Sequence, residues 1–375
     1  MATQTATRPS GAKLKKVEDL FNEQIANGTH PGAAVAAYYH GELVLDLVGG
    51  VADQTKGRKV QKDSMFMMFS CTKPLGAACI HLLWERGKFL WDDPVVKHWP
   101  AFGKNGKDKV TIRQVLTHTS GFPITPKELA TPEKIHDWNA CVAAMENITP
   151  QYEPGKQLAY HALNFGWMVA ELVHRIDGRM FDRFLRDEIT GPLGMKDTYV
   201  GLPASEEGRV CRVHEMPGAV NRAVASPDAA LQGDSLIVLG NTPLVHQSVQ
   251  PAAFGIASAR DMARFYAMYV GLGQVGGVRV MKPETVGGAV TKQLEGTTPQ
   301  GMLQKRALGH VLEAVTYGVN PSPRSFGHGG AGTTVGWGDP DSGLAVAYLT
   351  NGYQENTANQ KRLQAMSQAI RDAIS

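Results

Sequence analysis

Phe69-Ser70-Cys71-Thr72-Lys73 holds a hydroxyl and an amine three residues apart. On a helix, that spacing sets both side chains on one face, about one turn apart. A serine so placed becomes a nucleophile when a base takes its proton, and the lysine is the base at hand. The lysine must first lose its charge, because an ordinary ammonium is protonated at neutral pH. Burial in a cleft between two lobes, or neighbouring cations, would achieve that. The spacing alone decides little. Ser10-Gly-Ala-Lys13 repeats it in the polar N-terminal tail, and about one such match is expected by chance in a chain of this length. Context singles out Ser70. The apolar run Met65 to Phe69 precedes it, which argues against a fully exposed N-cap serine. Thr72 to Arg86 follows, with Leu75, Ala78, Cys79, Leu82 and Leu83 at helical intervals. Pro74 suits the first turn and Gly87 the C-cap. The N-terminus of that helix favours the negative charge a serine develops as it loses its proton.

A second group must carry the proton to a leaving group. Tyr160 is the candidate, set between the Pro154-Gly155 turn and a helix beginning near Leu163. A third element is Phe326-Gly327-His328-Gly329-Gly330-Ala331-Gly332. Its glycines let a backbone approach a substrate closely and aim an N–H at a developing oxyanion. Gly327, Gly329 and Gly332 also match Gly-x-Gly-x-x-Gly, but a dinucleotide loop must open a helix. The residues from Thr333 onward alternate as a strand instead, so no nucleotide cofactor is expected.

Ser70-x-x-Lys73, Tyr160 and His328-Gly329-Gly330 follow the order of the three motifs of serine β-lactamases and penicillin-binding proteins. The chain most resembles their class C β-lactamase-like group, in particular the family VIII carboxylesterases. Thr111 to Gly121, Glu153-Pro-Gly155 and Phe254 to Arg264 carry further likeness, so the resemblance runs from about Pro31 to Asn351. It implies Ser70 as nucleophile, Lys73 as its base partner and Tyr160 as the acid/base at the leaving group. It also implies an oxyanion hole from the backbone N–H groups of Ser70 and Ala331, and substrate contacts from His328, Gly329 and Gly330. Two departures bear on substrate. The second motif's Asn is Ala162 here, and the third motif's cation is His328, a mostly neutral imidazole. Both disfavour a dedicated β-lactamase and suit small or short-chain esters of less charged acids. An acyltransferase, a D-amino-acid peptidase or amidase, a β-lactamase and a non-catalytic scaffold stay open as rivals. The complete trio argues against the scaffold.

The elements that must position these groups read in order. Leu14 to Asn27 is an amphipathic helix; Ala33 to Tyr39 and Leu43 to Val51 form a hairpin across His40-Gly41-Glu42. Helical patterns follow at Ile112 to Leu116, Ile135 to Met145, Leu163 to Ile176, Phe181 to Ile189 and Ser258 to Leu272. Residues 191 to 250 read as long loops with short elements. Strand patterns return at Leu308 to Glu313, Thr333 to Gly338 and Leu344 to Asn351, before a closing helix from Asn359 to Ile374. This order predicts an α/β fold: a mixed, mainly antiparallel sheet flanked by N- and C-terminal helices, with an inserted all-α lobe. The boundaries expected are 1–69 with 245–375 for the sandwich and 70–244 for the helical domain, the site lying in the cleft between. The resemblance implies the same two-part fold.

Composition excludes several classes. With 38 basic and 35 acidic residues the net charge is +3, and the basic residues are scattered, so no nucleic-acid partner is expected. Lys13 to Lys16 reads as the solvated face of the first helix. No apolar run approaches 18 residues, so no membrane span is expected, and Met1 to Ser10 lacks the apolar core of a secretory signal. Cys71, Cys79, Cys141 and Cys211 show neither disulfide nor metal spacing and read as buried thiols of a cytoplasmic protein. No His-Glu-x-x-His and no Gly-x-Ser-x-Gly occurs, so neither a metal nor an α/β-hydrolase elbow is expected. Asp92-Asp93 reads as a turn before Pro94, and the Asn27 and Asn147 glycosylation patterns carry no weight in a cytosolic chain. His118 reads as a hydrogen-bonded scaffold beneath the site. The expected partner is a small-molecule ester, and the sequence carries no signal of oligomeric state.

Overall fold

The computed structural model describes residues 11–219, 233–299 and 301–374. Met1 to Ser10, and with them the serine of the second Ser-x-x-Lys match, lie outside the described residues. Five helices and one large sheet organise the rest: α1 Gly11–Ala26, α2 Lys73–Glu85, α3 Asn164–Asp177, α4 Ala259–Val270 and α5 Asn356–Ile374. The sheet's strands in chain order are β1 Gly32–Tyr39, β2 Glu42–Asp53, β3 Arg58–Lys59, β4 Leu294–Thr297 and β5 Leu303–Arg306. They continue with β6 Val311–Leu312, β7 Phe326–Gly329, β8 Val335–Asp339 and β9 Leu344–Thr350. Their spatial order is β4-β5-β6-β7-β8-β9-β1-β2-β3. Strands from the two ends of the chain therefore meet where β1 pairs with β9, Ala33 opposite Thr350 and Tyr39 opposite Leu344.

The predicted α/β architecture is present, with one refinement. Every pairing within the large sheet is antiparallel, and a parallel pairing occurs apart from it, between Gly352–Tyr353 and His214–Glu215. The central strand β1 shows why the sheet needs cover on both faces. Ala33, Val35 and Ala37 pack with Val17 and Phe21 of α1 and with Leu363, Met366 and Ile370 of α5. Ala34, Ala36 and Tyr38 point the other way, into the larger core that includes Phe265 and Tyr266 of α4. This is the period-two alternation of a strand buried on both sides.

The β1–β2 hairpin turns at His40 and Gly41, with φ of 47° and 84°, as tight hairpins favour. Two expectations need correction. The helix read over Ile135 to Met145 is two helices, Pro132–His136 and Trp138–Asn147. Asp137 interrupts it and caps the second by accepting from the Ala140 N–H. The segment Phe181 to Ile189 is helical to Leu185 and then widens into a π-turn over Arg186–Thr190. Phe326 to Gly329 is itself a strand, β7, hydrogen-bonded between β6 and β8. Glycine suits it there because a Cβ on Gly327 would stand 2.2 Å from the Gly336 carbonyl. The hairpin β4–β5 was absent from the sequence reading, because Leu294–Thr297 and Leu303–Arg306 mix charge with little apolar alternation.

The middle of the chain supplies the helices. α2 is buried from Lys73 to Leu83 and packs on α3, where Gly76 lets Val169 and Pro251 approach to 3.3 Å of where its Cβ would be. Among the described residues no helix is long and apolar enough to cross a membrane.

Candidate active site

Ser70 sits on a 3-10 turn, Phe69–Thr72, that leads directly into α2. Phe69 enters that turn with φ of 46°, a left-handed conformation that costs a non-glycine residue about 1–2 kcal/mol. The strain sharpens the bend at the serine. It is held by the Thr72 hydroxyl donating to the Phe69 carbonyl at 2.6 Å and by the Gly255 N–H donating to Thr72 Oγ1 at 3.0 Å.

Lys73 is fully buried, and its amine fits the uncharged form. Nζ donates to the carbonyls of Ala162 at 2.8 Å and Ala252 at 2.9 Å, and stands 3.4 Å from Ser70 Oγ. A neutral amine has two N–H donors and one lone pair, so two carbonyls leave the lone pair for the serine proton. Burial, and then the charge of Arg306, hold the ammonium well below its ordinary pKa. The two carbonyls are themselves fixed. Gln250 donates to Leu163 O at 3.2 Å and accepts from the Ala252 N–H at 2.9 Å. Gly166 leaves room for that amide, since a Cβ there would stand 1.7 Å from Gln250 Oε1.

Tyr160 Oη donates to Ser70 Oγ at 2.8 Å. Burial pushes its phenol up to about 12, against the lowering effect of Arg306 and of the Ser70 hydrogen bond, so it is protonated at neutral pH. His118 holds the chain on both sides of it: the Ala159 N–H donates to His118 O at 3.0 Å and the His161 N–H to His118 Nδ1 at 3.1 Å. An accepting Nδ1 must be unprotonated, and burial followed by the Arg306 charge keeps His118 neutral. Further bonds lace the same loops together, from Gly155 N–H to Thr119 O and from Gln151 and Tyr152 N–H to Gly121 O. The Thr111 to Gly121 and Glu153-Pro-Gly155 segments thus form the bed on which Tyr160 lies.

The glycine-rich strand β7 closes the third side. Cys71 Sγ donates to the His328 carbonyl at 2.9 Å, and Thr334 Oγ1 donates to the Met68 carbonyl at 3.0 Å. Gly330 passes so near that a Cβ would meet Thr334 Oγ1 at 2.2 Å and the Met68 carbonyl oxygen at 2.3 Å. Ser70, Tyr160, His328, Gly329, Gly330 and Ala331 all line one cavity of about 350 Å³. The structure therefore brings every site residue named from the sequence to one place. His328 is neutral, lowered by burial and then by Arg306; its Nδ1 lies 2.7 Å from the Gly329 carbonyl. Cys71 is buried, and desolvation pushes its thiol up to about 12. All four cysteines are free and buried, and among the described residues no cluster could hold a metal.

Arg306 escaped the sequence reading. It ends β5, is buried, and lines the same cavity with its guanidinium 5.2 Å from the centre of the Tyr160 ring. The signal available was its period-two spacing from Gln304, which places both on one face of a strand. Gln250 was missed for a similar reason, as its partner Leu163 lies far away in sequence.

Comparison with known proteins gives this geometry its context. The Beta-lactamase family profile matches residues 17–370. The chain belongs to the beta-lactamase family. Within it, the Esterase/beta-lactamase LipL of Mycobacterium tuberculosis is 31% identical over 338 residues, 85% of this chain and 77% of the relative. Two solved structures superpose with a TM-score of 0.85 over 98% of this chain and 99% of theirs. One is a penicillin-binding-protein homologue from Caulobacter crescentus at 28% identity, the other a family VIII carboxylesterase at 26%. This beta-lactamase-family protein is a serine hydrolase with the fold of those relatives.

Proposed function

We propose that the protein is a carboxylic ester hydrolase that works through a covalent acyl-enzyme on Ser70. The observation that carries the reading is the contact of Ser70 Oγ with two groups, a buried Lys73 amine whose ammonium form is disfavoured and the Tyr160 phenol, which is held protonated. In acylation, Ser70 Oγ bonds to the ester carbonyl carbon as Lys73 takes the hydroxyl proton. The backbone N–H groups of Ser70 and Ala331 receive the oxyanion. Collapse breaks the bond to the alcohol oxygen, and Tyr160 supplies the proton that oxygen needs; the Lys73 ammonium then reprotonates the phenolate. Water repeats the sequence on the acyl-enzyme, freeing the acid and Ser70.

Ester rather than β-lactam chemistry is supported by the residues around the cavity. Ala162 offers Lys73 only its backbone carbonyl and presents no side-chain amide to a substrate. His328 is uncharged where the β-lactamase motif has a cation, and Arg306 is 3% exposed, set against Tyr160. The proposed location is cytoplasmic, and the rival to hydrolysis is transfer of the acyl group to an alcohol or amine. The deciding experiment incubates the protein and Ser70→Ala with short-chain 4-nitrophenyl esters and with a chromogenic cephalosporin. Turnover of the esters that depends on Ser70 is expected. Fast cephalosporin cleavage with negligible ester cleavage would overturn the substrate class. Ester cleavage retained by Ser70→Ala would overturn the mechanism.

A further inference from the structure

A buried arginine with no acid beside it calls for an explanation. Arg306 is 3% exposed. Its Nε and Nη2 both reach Gln304 Oε1, at 3.1 and 2.8 Å, and Nη1 has no hydrogen-bond partner among the described residues. The titratable groups within its field come from several elements. They are Lys73 at the start of α2, His118 from its loop, Tyr160 before α3, His328 on β7 and Tyr317. None is a carboxylate. Burying an unpaired guanidinium is strongly unfavourable, and unlike lysine it cannot shed its proton to escape. The ring it does meet is the Tyr160 ring, at 5.2 Å, while Lys73 Nζ stands 4.7 Å from the same centroid.

We propose that Arg306 is the permanent cation of the catalytic centre, whose field adds to burial in keeping Lys73 a free amine and stabilises the Tyr160 phenolate formed when the leaving group takes its proton. A positive charge on Lys73 would share the surroundings of the Tyr160 ring with a guanidinium, in a site with little water to screen it, so Arg306 reinforces what burial already favours, the neutral amine. The same field favours negative charge on Tyr160 at the one moment the reaction creates it. It also opposes protonation of His118 and His328, so both imidazoles stay in the neutral form that their hydrogen bonds need. Arg306 acts through Lys73 and Tyr160 and is a positioning residue in this scheme. The inference rests on the acyl-enzyme reading above.

The test is the pH profile of kcat/KM for 4-nitrophenyl acetate and for its anionic counterpart, 4-nitrophenyl hemisuccinate, in wild type, Arg306→Gln and Arg306→Lys. In Arg306→Gln the acid limb should move up by about one pH unit or more, so that the rate on that limb falls about tenfold. Arg306→Lys keeps a charge at low pH and should keep the wild-type acid limb. Arg306→Met replaces Arg306→Gln if the latter lacks a native circular dichroism spectrum. An unmoved limb in the neutral variant, or equal shifts in the neutral and lysine variants, would overturn the inference. So would a loss confined to KM for the hemisuccinate, which would make Arg306 a carboxylate anchor. Failure of the wild type to cleave either ester would instead strike the ester-hydrolase reading itself.

Discussion

Lys73 Nζ stands 3.4 Å from Ser70 Oγ across one buried helical turn, with its two shorter contacts both to backbone carbonyls. The amine is thus oriented by the fold and not by the serine. It follows that the pair should behave as one unit. Ser70→Ala and Lys73→Ala should each lower kcat/KM for a 4-nitrophenyl ester by roughly 10³-fold or more. The double variant should be no worse than either alone. Additive losses would show that Lys73 serves something other than Ser70.

Tyr160 depends on His118 through bonds on either side of it. Tyr160→Phe removes the acid and should lower kcat by roughly 10²–10⁴-fold. His118→Ala leaves the phenol in place but frees its backbone, and a displacement near 1 Å is worth about 10²-fold. Combining the two should add nothing to Tyr160→Phe. Steady-state kinetics of the three variants decide this; full activity in His118→Ala would refute the bracket.

Adjacent glycines on the third side should differ sharply. A Cβ on Gly330 meets a backbone carbonyl at 2.3 Å, whereas the nearest atom to one on Gly329 is the Thr334 carbonyl oxygen at 3.9 Å. Gly330→Ala should therefore cost about 1–3 kcal/mol of stability and displace the Ser70 turn, with loss of activity. Gly329→Ala should fold like the wild type. Denaturant titration of both measures the difference, and equal midpoints would remove the close-approach argument.

Buried histidines predict how stability varies with pH. Burial lowers His30, His81 and His161 to about 3 each, and His118, His310 and His328 well below their ordinary value. The native state then binds fewer protons than the unfolded chain at any pH between about 3 and the unfolded histidine value of about 6.5. Stability is full above that value and is lost progressively as pH falls towards 3. Asp261 acts in the opposite sense, because burial raises it to about 6, but it is one group against six. The thermal midpoint should fall steadily from pH 7 to pH 4.5. A flat or rising midpoint over that range would contradict the neutral, buried assignment.

Much of the site was legible because its chemistry depends on local spacing. Ser70 and Lys73 are three residues apart at the entry to a periodic helix, and Tyr160 follows a Pro-Gly turn, so both features survive in one dimension. Arg306 was not legible. Its meaning comes from lying over the ring of a residue 146 positions earlier in the chain, on a strand with weak alternation. The nature of β7 was also hidden, since a glycine run reads as a loop until β6 and β8 provide its hydrogen-bond partners.

By itself the sequence determined which residues could react, that two of them would sit where α2 begins, and that strands from both ends would build one sheet. The elements follow from helical and strand periodicity, which acts over a few residues, and the reacting residues from the order of motifs that carries the family resemblance. Only the tertiary structure decided the states in which the residues meet. Whether Lys73 is an amine or an ammonium depends on burial, on the carbonyls of Ala162 and Ala252, and on a guanidinium from β5. Desolvation and long-range charge are properties of the folded interior, and no spacing along the chain encodes them.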